Sequence, residues 1–154
     1  MAYERKELGD FTSVVCFKAV ITGVEDTLGK DGAGVVFTRA GKMRGQNRVK
    51  DLGMAGSVLP ISELAGRLDA ALGKDGTRLA NVKSVREEGG KIIVDTTETV
   101  CSFGEEMGSD RECSFTMGAI WGALEAIEGK TYLGEQTQSV LRGGEFDRFE
   151  FEEL

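Results

Sequence analysis

The sequence predicts an α+β protein in which an antiparallel sheet of two hairpins packs against a helical layer. Several segments place apolar residues at the three-to-four-residue spacing of a helix. Two other segments alternate apolar and polar residues around a glycine pair, which is typical of β-hairpins. With 154 residues, of which 40% are hydrophobic and 29% charged, the chain is expected to form one globular domain spanning 1–154.

The amino-terminal third is predicted to be mainly helical. Apolar residues fall at helical spacing over 10–28, and Asp10 is the expected N-cap. The basic second half of 33–52 has the composition of a helix. Its apolar first half fits either a turn of helix or a buried strand.

A proline and two glycines indicate where further helices begin and end. Pro60 opens a helix that carries Glu63 in its first turn. The pattern Leu-Gly-Lys-Asp-Gly occurs twice, and it predicts helix ends closed by Gly29 and Gly73.

The remaining elements are predicted as hairpin, helix and hairpin. Residues 80–100 alternate around Gly89–Gly90, and a helix follows over 113–127. Residues 131–154 alternate again on both sides of Gly143–Gly144, which predicts the second hairpin.

The composition excludes several classes of function. A net charge of −7 and a pI near 4.8 argue against nucleic acid or an anionic membrane as the main partner, because both bind basic surfaces. Histidine is absent, which excludes histidine-dependent triads and haem ligated by histidine.

Cysteine use and the terminal residues predict a cytoplasmic protein without a transmembrane segment. The cysteines Cys16, Cys101 and Cys113 are too sparse for a disulfide framework or a zinc site. The first ten residues are too charged for a signal peptide, and no apolar run reaches the roughly 18 residues of a membrane-spanning helix. We expect Cys101 and Cys113 to be buried and none of the three to form a disulfide.

The longest apolar segment contains two glycines inside a predicted helix. Gly118 and Gly122 each cost about 0.5–1 kcal/mol relative to alanine, so something must offset that cost. Close approach of another backbone is one explanation, and a cavity for a ligand is the other. Gly41 and Gly45 repeat the four-residue spacing.

The order of these motifs resembles the 4-vinyl-reductase-like hydrocarbon-binding domain family. The resemblance runs from about Phe11 to Phe151 and is strongest after Cys101. It depends on a cysteine, a glycine-rich helix, a strand with glutamate and a terminal aromatic strand. The matching positions are Cys113, Gly118, Gly122, Glu135, Gly144 and Phe149.

The resemblance implies a fold shared with subunits of TRAPP (the vesicle-tethering complex) and with haem-NO-binding domains. Such proteins are often dimeric and have an internal apolar ligand cavity. Two departures limit what is carried over. Many members have two cysteines in the last hairpin, where this chain has Val140 and Asp147, so a metal or redox role of that pair is absent. The TRAPP branch can carry an acyl chain on a cysteine near an early helix, and Cys16, although early in the chain, is not assigned to that position.

Nine residues are candidates for a ligand site. Aromatic and aliphatic side chains are expected to form its wall, the glycines to leave space, a cysteine to contact the ligand and one arginine to bind a carboxylate. They are Phe17, Ile21, Arg39, Arg44, Cys113, Phe115, Gly118, Trp121 and Gly122.

We therefore expect a small cytoplasmic module that encloses an apolar molecule as carrier, sensor or assembly factor. A fatty acid and a tetrapyrrole-like pigment precursor are the candidate ligands, and a homodimer is the expected assembly. The alternative is a homodimeric scaffold without a ligand, whose cavity is filled by its own side chains. A reductase is the least favoured, because the chain has no nicotinamide or flavin fingerprint. We expect no catalytic residue and no metal.

Overall fold

The computed structural model describes all 154 residues and contains helices and an antiparallel sheet, as predicted. None of its helices is long and apolar enough to cross a membrane. In chain order the elements are α1 (Val14–Asp51), α2 (Ile61–Leu72), β1 (Asn81–Glu88), β2 (Lys91–Thr97), α3 (Ser114–Glu128), β3 (Tyr132–Gln138) and β4 (Asp147–Glu153), with a 3-10 turn at Val140–Arg142.

The two predicted hairpins join into one four-stranded sheet with the order β1-β2-β4-β3. Gly89 and Gly90 form the first turn with φ values of 59° and 77°, which glycine adopts without strain. The central contact is the antiparallel pair β2–β4, in which Val94 faces Phe149. The last strand in the sequence is therefore an inner strand of the sheet.

Helix α1 changes direction at Gly29, where φ is 76° and ψ is 170°. Its amino-terminal arm (14–28) and carboxyl-terminal arm (30–51) lie side by side. This follows from the positions of Ile21 in the first arm and Phe37 in the second, which line the same pocket. In one straight helix these residues would be roughly 24 Å apart. Gly29 interrupts the helix as predicted, but the helix resumes at once. The strand alternative for the start of 33–52 is wrong.

Two predicted helix ends differ in detail. Ser13, not Asp10, is the N-cap of α1, and its Oγ accepts a hydrogen bond of 3.2 Å from the Val15 amide. Gly73 ends α2 but has a φ of −91°, outside the left-handed region. Glycine is required there for space, because a Cβ would lie 2.6 Å from the Asp69 carbonyl oxygen.

Helix α3 lies at the centre of the molecule. Its Ile120 and Leu124 are fully buried in the same apolar core as Phe149 and Phe151 of β4. The Trp121 ring meets Phe151 edge-on, with 6.2 Å between ring centroids. The core therefore joins the sheet to α3, and α3 also packs against α1.

The glycines of α3 bring its backbone against α1. A Cβ on Gly122 would lie 2.1 Å from the Lys42 carbonyl oxygen. A Cβ would likewise lie 2.3, 2.2 and 2.0 Å from a facing carbonyl oxygen if it were added to Gly118, Gly41 and Gly45, respectively. The expectation that Gly118 and Gly122 leave a cavity is wrong, because the backbone of α1 fills that space.

Candidate functional site

An inner pocket of about 110 Å³ lies between the two arms of α1 and the start of α3. Its apolar wall consists of Ile21, Phe37 and Phe115, together with Cys101. Its other lining residues are Glu25, Lys30, Asp31, Gly34, Glu112 and Ser114. The pocket thus combines an apolar wall with a polar and charged lining, and it is more polar than most small-molecule sites, which are lined predominantly by hydrophobic side chains.

The reversal of α1 creates this pocket, and Gly34 forms part of its wall. A Cβ on Gly34 would meet only the Ser114 Oγ, at the ordinary contact distance of 3.7 Å. A larger side chain at this position would therefore extend into free space and not into the facing backbone.

A wider groove of about 670 Å³ adjoins the inner pocket and shares five lining residues with it. The groove runs between α1 and α3 and contains Arg39 and Trp121. The Lys42 Nζ lies 4.4 Å from the Trp121 ring centroid and 3.1 Å from a Glu125 carboxylate oxygen. Arg39 is exposed and forms no ion pair, so it is the free cation of the groove.

An amino-terminal cleft of about 380 Å³ lies on the other side of Phe115. Phe17 and Phe115 pack edge-on, with 5.1 Å between ring centroids, and both line the cleft. Arg44 and Arg78 also line it. Phe115 therefore separates two spaces of different character.

Charged contacts fasten the loop between β2 and α3 onto the amino-terminal arm of α1. The buried Lys18 Nζ donates to the carbonyl oxygens of Cys101 and Phe103, and lies 3.2 Å from a Glu105 carboxylate oxygen. Arg111 binds Glu105 at 2.8 Å and Glu25 of α1 at 2.7 Å. This loop carries Cys101 and Glu112 of the inner pocket, so the ion pairs hold one wall of that pocket in place.

The contact with Arg111 lowers the pKa of the Glu105 carboxyl to about 2, and the hydrogen bonds from Lys18 and Ser109 act in the same direction. Glu105 is therefore ionised at neutral pH. The side chains of Lys18 and Arg111 are each 11% exposed, which places this network largely out of water.

Asp147 organises a second buried polar group behind the pocket. Its carboxylate accepts hydrogen bonds from Thr99 at 2.7 Å, from Ser102 at 2.9 Å and from the Val140 amide at 3.0 Å. The Cys113 Sγ lies 3.4 Å from the Thr99 hydroxyl. The neighbouring Cys101 thiol and burial raise the pKa of the Cys113 thiol, so Cys113 is a thiol and not a thiolate at neutral pH.

The structure distributes the predicted site residues over several places. Ile21 lines the inner pocket, and Arg39 and Trp121 line the groove. Phe17 and Arg44 line the amino-terminal cleft, and Phe115 lines both the cleft and the inner pocket.

The other predicted site residues line none of these three spaces. Gly118 and Gly122 form the contact between α3 and α1. Cys113 is 1% exposed and lies beside Thr99. The predictions that Cys101 and Cys113 are buried and that all three cysteines are free are confirmed, and Cys16 is exposed.

Several lining residues were not identified from the sequence. Phe37 lies in the apolar segment that fitted either helix or strand, so its facing direction was undetermined. Cys101 was expected only as a buried residue. Gly34, Glu25 and Glu112 carried no signal, because their roles depend on the reversal of α1 and on the path of a loop.

Comparison with solved structures supports the fold. No protein-family model matches the sequence, and no curated protein is significantly similar to it. The phenol-responsive sensory domain of the transcription activator PoxR, solved with phenol, has a TM-score of 0.71 and 18% identity over 94% of this chain and 76% of that one. Trafficking protein particle complex subunit 3 from Naegleria fowleri, covalently bound to palmitic acid, has a TM-score of 0.59 and 14% identity over 92% of both chains. The protein therefore has the fold of a phenol-sensing domain and a trafficking-complex subunit.

Proposed function

We propose that this protein is a ligand-binding module that holds one compact apolar molecule in the inner pocket. The observation that carries the proposal is an apolar wall of Ile21, Phe37 and Phe115 opposite a polar and charged lining. A molecule with an apolar ring and one hydroxyl or similar group fits this division. Ser114 and Glu112 supply a hydroxyl and a carboxylate for the polar end.

The pocket volume favours a small ligand among the expected classes. An engineered apolar cavity of about 150 Å³ in another protein takes up benzene, and this pocket has about 110 Å³. Its volume therefore limits the ligand to a single small ring or a short chain. A tetrapyrrole or an entire long fatty acid exceeds it and would have to occupy the wider groove as well.

The two structural neighbours support the class of function. The PoxR domain is described as phenol-responsive and holds phenol, and the trafficking subunit holds palmitic acid. We infer that this chain is a distant member of the 4-vinyl-reductase-like hydrocarbon-binding group. The fold and the motif containing Cys113, Gly118 and Gly122 support that inference. A cytoplasmic carrier or sensor fits this role, and the proposal requires no catalytic residue.

Filling the inner pocket tests this function. Gly34→Leu should abolish binding of phenol and p-cresol, measured by titration calorimetry, because the new side chain occupies the pocket. Gly34→Ala is the matched control, since a single Cβ is accommodated beside Ser114. Both substitutions favour the helix, so the melting temperature should not fall.

Two outcomes contradict the ligand-binding proposal. Wild-type protein that binds no monocyclic aromatic compound would reject it, and so would equal binding by Gly34→Leu. A variant that loses binding only because it unfolds would be recognised by its melting temperature and by the behaviour of Gly34→Ala.

A homodimeric scaffold is the second candidate function. The amino-terminal arm of α1 exposes an apolar stripe that includes Val15 and Val20, which are 62% and 54% exposed. Cys16, Ala19 and Gly23 lie on the same exposed stripe, so a second copy could approach closely. Light scattering at micromolar concentration tests it, and a mass of 16.6 kDa would contradict the dimer.

A further inference from the structure

The amino-terminal cleft is an apolar space that the proposed ligand does not use. Its apolar lining consists of Phe11, Val14, Phe17, Leu79, Val100 and Phe115, and Phe115 separates it from the inner pocket. With about 380 Å³ it is larger than the inner pocket. It therefore offers room for an alkyl chain or a ring system of its own.

Two arginines in this cleft lack a close carboxylate partner. The nearest carboxylate oxygen to Arg44 belongs to Asp51 and is 3.9 Å from the guanidinium. Arg78 forms no ion pair. Its Nε donates to the Lys74 carbonyl oxygen at 3.1 Å, and its guanidinium lies 4.9 Å from the Phe11 ring centroid. The chain has a net charge of −7, yet two guanidinium groups lie beside this one apolar space.

The backbone around Arg78 holds this residue beside the cleft. Arg78 has a φ of 56°, in the left-handed region that non-glycine residues adopt at a cost, and its amide donates to the Gly73 carbonyl oxygen at 3.0 Å. Thr77 also lines the cleft, but its hydroxyl oxygen is buried without a hydrogen-bond partner and is not accessible from the cleft.

We propose that this cleft binds the carboxylate of an amphiphilic molecule. Arg44 and Arg78 contact the carboxylate, and the alkyl chain lies against Phe17 and Phe115. The amino terminus of α1 also borders the cleft, and its helix dipole favours an anion. Asp10 is the one carboxylate in the lining, so the cleft keeps a positive balance.

Titration with octanoate and octanol tests the site, because the two probes differ in charge and share the same chain length. Arg44→Gln and Arg78→Gln should each weaken octanoate binding at least tenfold and leave octanol binding within twofold. Arg67→Gln is the matched control, since it removes the same charge from an exposed position on α2 that lines neither the cleft nor the other two spaces. The control should bind octanoate within twofold of the wild-type affinity. The melting temperature of each variant shows whether it is folded.

Several results would overturn this site. Wild-type protein that does not bind octanoate contradicts it directly. An equal loss in Arg67→Gln would indicate a general effect of net charge. Abolition of octanoate binding by Gly34→Leu would place octanoate in the inner pocket. Binding of octanoate with no binding of phenol would support the cleft and reject the function proposed for the inner pocket, so the two proposals fail separately.

Discussion

Replacement of Gly122 by alanine adds one methyl group where α3 touches α1. The new Cβ would lie 2.1 Å from the Lys42 carbonyl oxygen, whereas ordinary contacts of this kind begin at 3.4 Å. The Lys42 carbonyl carbon and Cα are also within 3 Å. Because all three atoms are backbone, no side chain can rotate away, and the two helices must move apart.

The size of the effect follows from two opposed contributions. Overpacking by one methyl group costs about 1–3 kcal/mol, and a rigid backbone neighbour places this site at the upper end. Alanine stabilises the helix by about 1 kcal/mol relative to glycine. The free energy of unfolding should therefore fall by about 2 kcal/mol, which lowers the melting temperature of a chain of this size by about 4–8 °C.

Urea unfolding followed by circular dichroism measures this change, and α2 supplies the control. A Cβ on Gly66 would have no neighbour within 4 Å, so Gly66→Ala should stabilise the protein by up to about 1 kcal/mol. Opposite signs for the same substitution in two helices are the expected result. A Gly122→Ala protein as stable as the wild type would refute the claim that the glycines are needed for contact between the helices.

Two further predictions concern the loop and the cysteines. Glu105→Gln should lose up to about 3 kcal/mol of stability at pH 7. The pKa of Glu105 is lowered by Arg111 from 4.5 to about 2, so this contribution is complete above about pH 4.5 and disappears as pH falls towards 2. Urea unfolding across pH 2–7 checks this, and a wild-type-to-variant difference that stays constant would contradict it. Thiol labelling of the native protein should modify Cys16 first, and Cys101 and Cys113 should react only on unfolding, because both are buried. Mass spectrometry identifies the modified residues, and early labelling of either buried thiol would contradict this prediction.

Local patterns in the sequence were sufficient to predict most elements. Alternation around Gly89–Gly90 and Gly143–Gly144 placed both hairpins, because a strand with one buried face requires a two-residue period. The helix after Cys113 and the helix opened by Pro60 followed from helical spacing in the same way. Each of these signals acts within about ten residues, and later contacts did not override them.

The candidate site could be predicted only in part. Phe17, Ile21 and Phe115 were expected in an apolar wall, and all three line a pocket or cleft. The sequence could not assign them to one space, because that depends on how far α1 turns back at Gly29. The same reversal carries Glu25 towards Arg111, a pair 86 residues apart for which no local pattern exists.

The sequence by itself determined the fold class, the approximate positions of the helices and hairpins, and the requirement for glycine at Gly118 and Gly122. Only the tertiary structure decided that the glycines meet the backbone of α1 and do not border a cavity. A missing Cβ permits either outcome, and the choice depends on which surface lies opposite. The strand order β1-β2-β4-β3 and the separation of the inner pocket from the amino-terminal cleft were decided in the same way, because both arise from packing between segments that are distant in the chain.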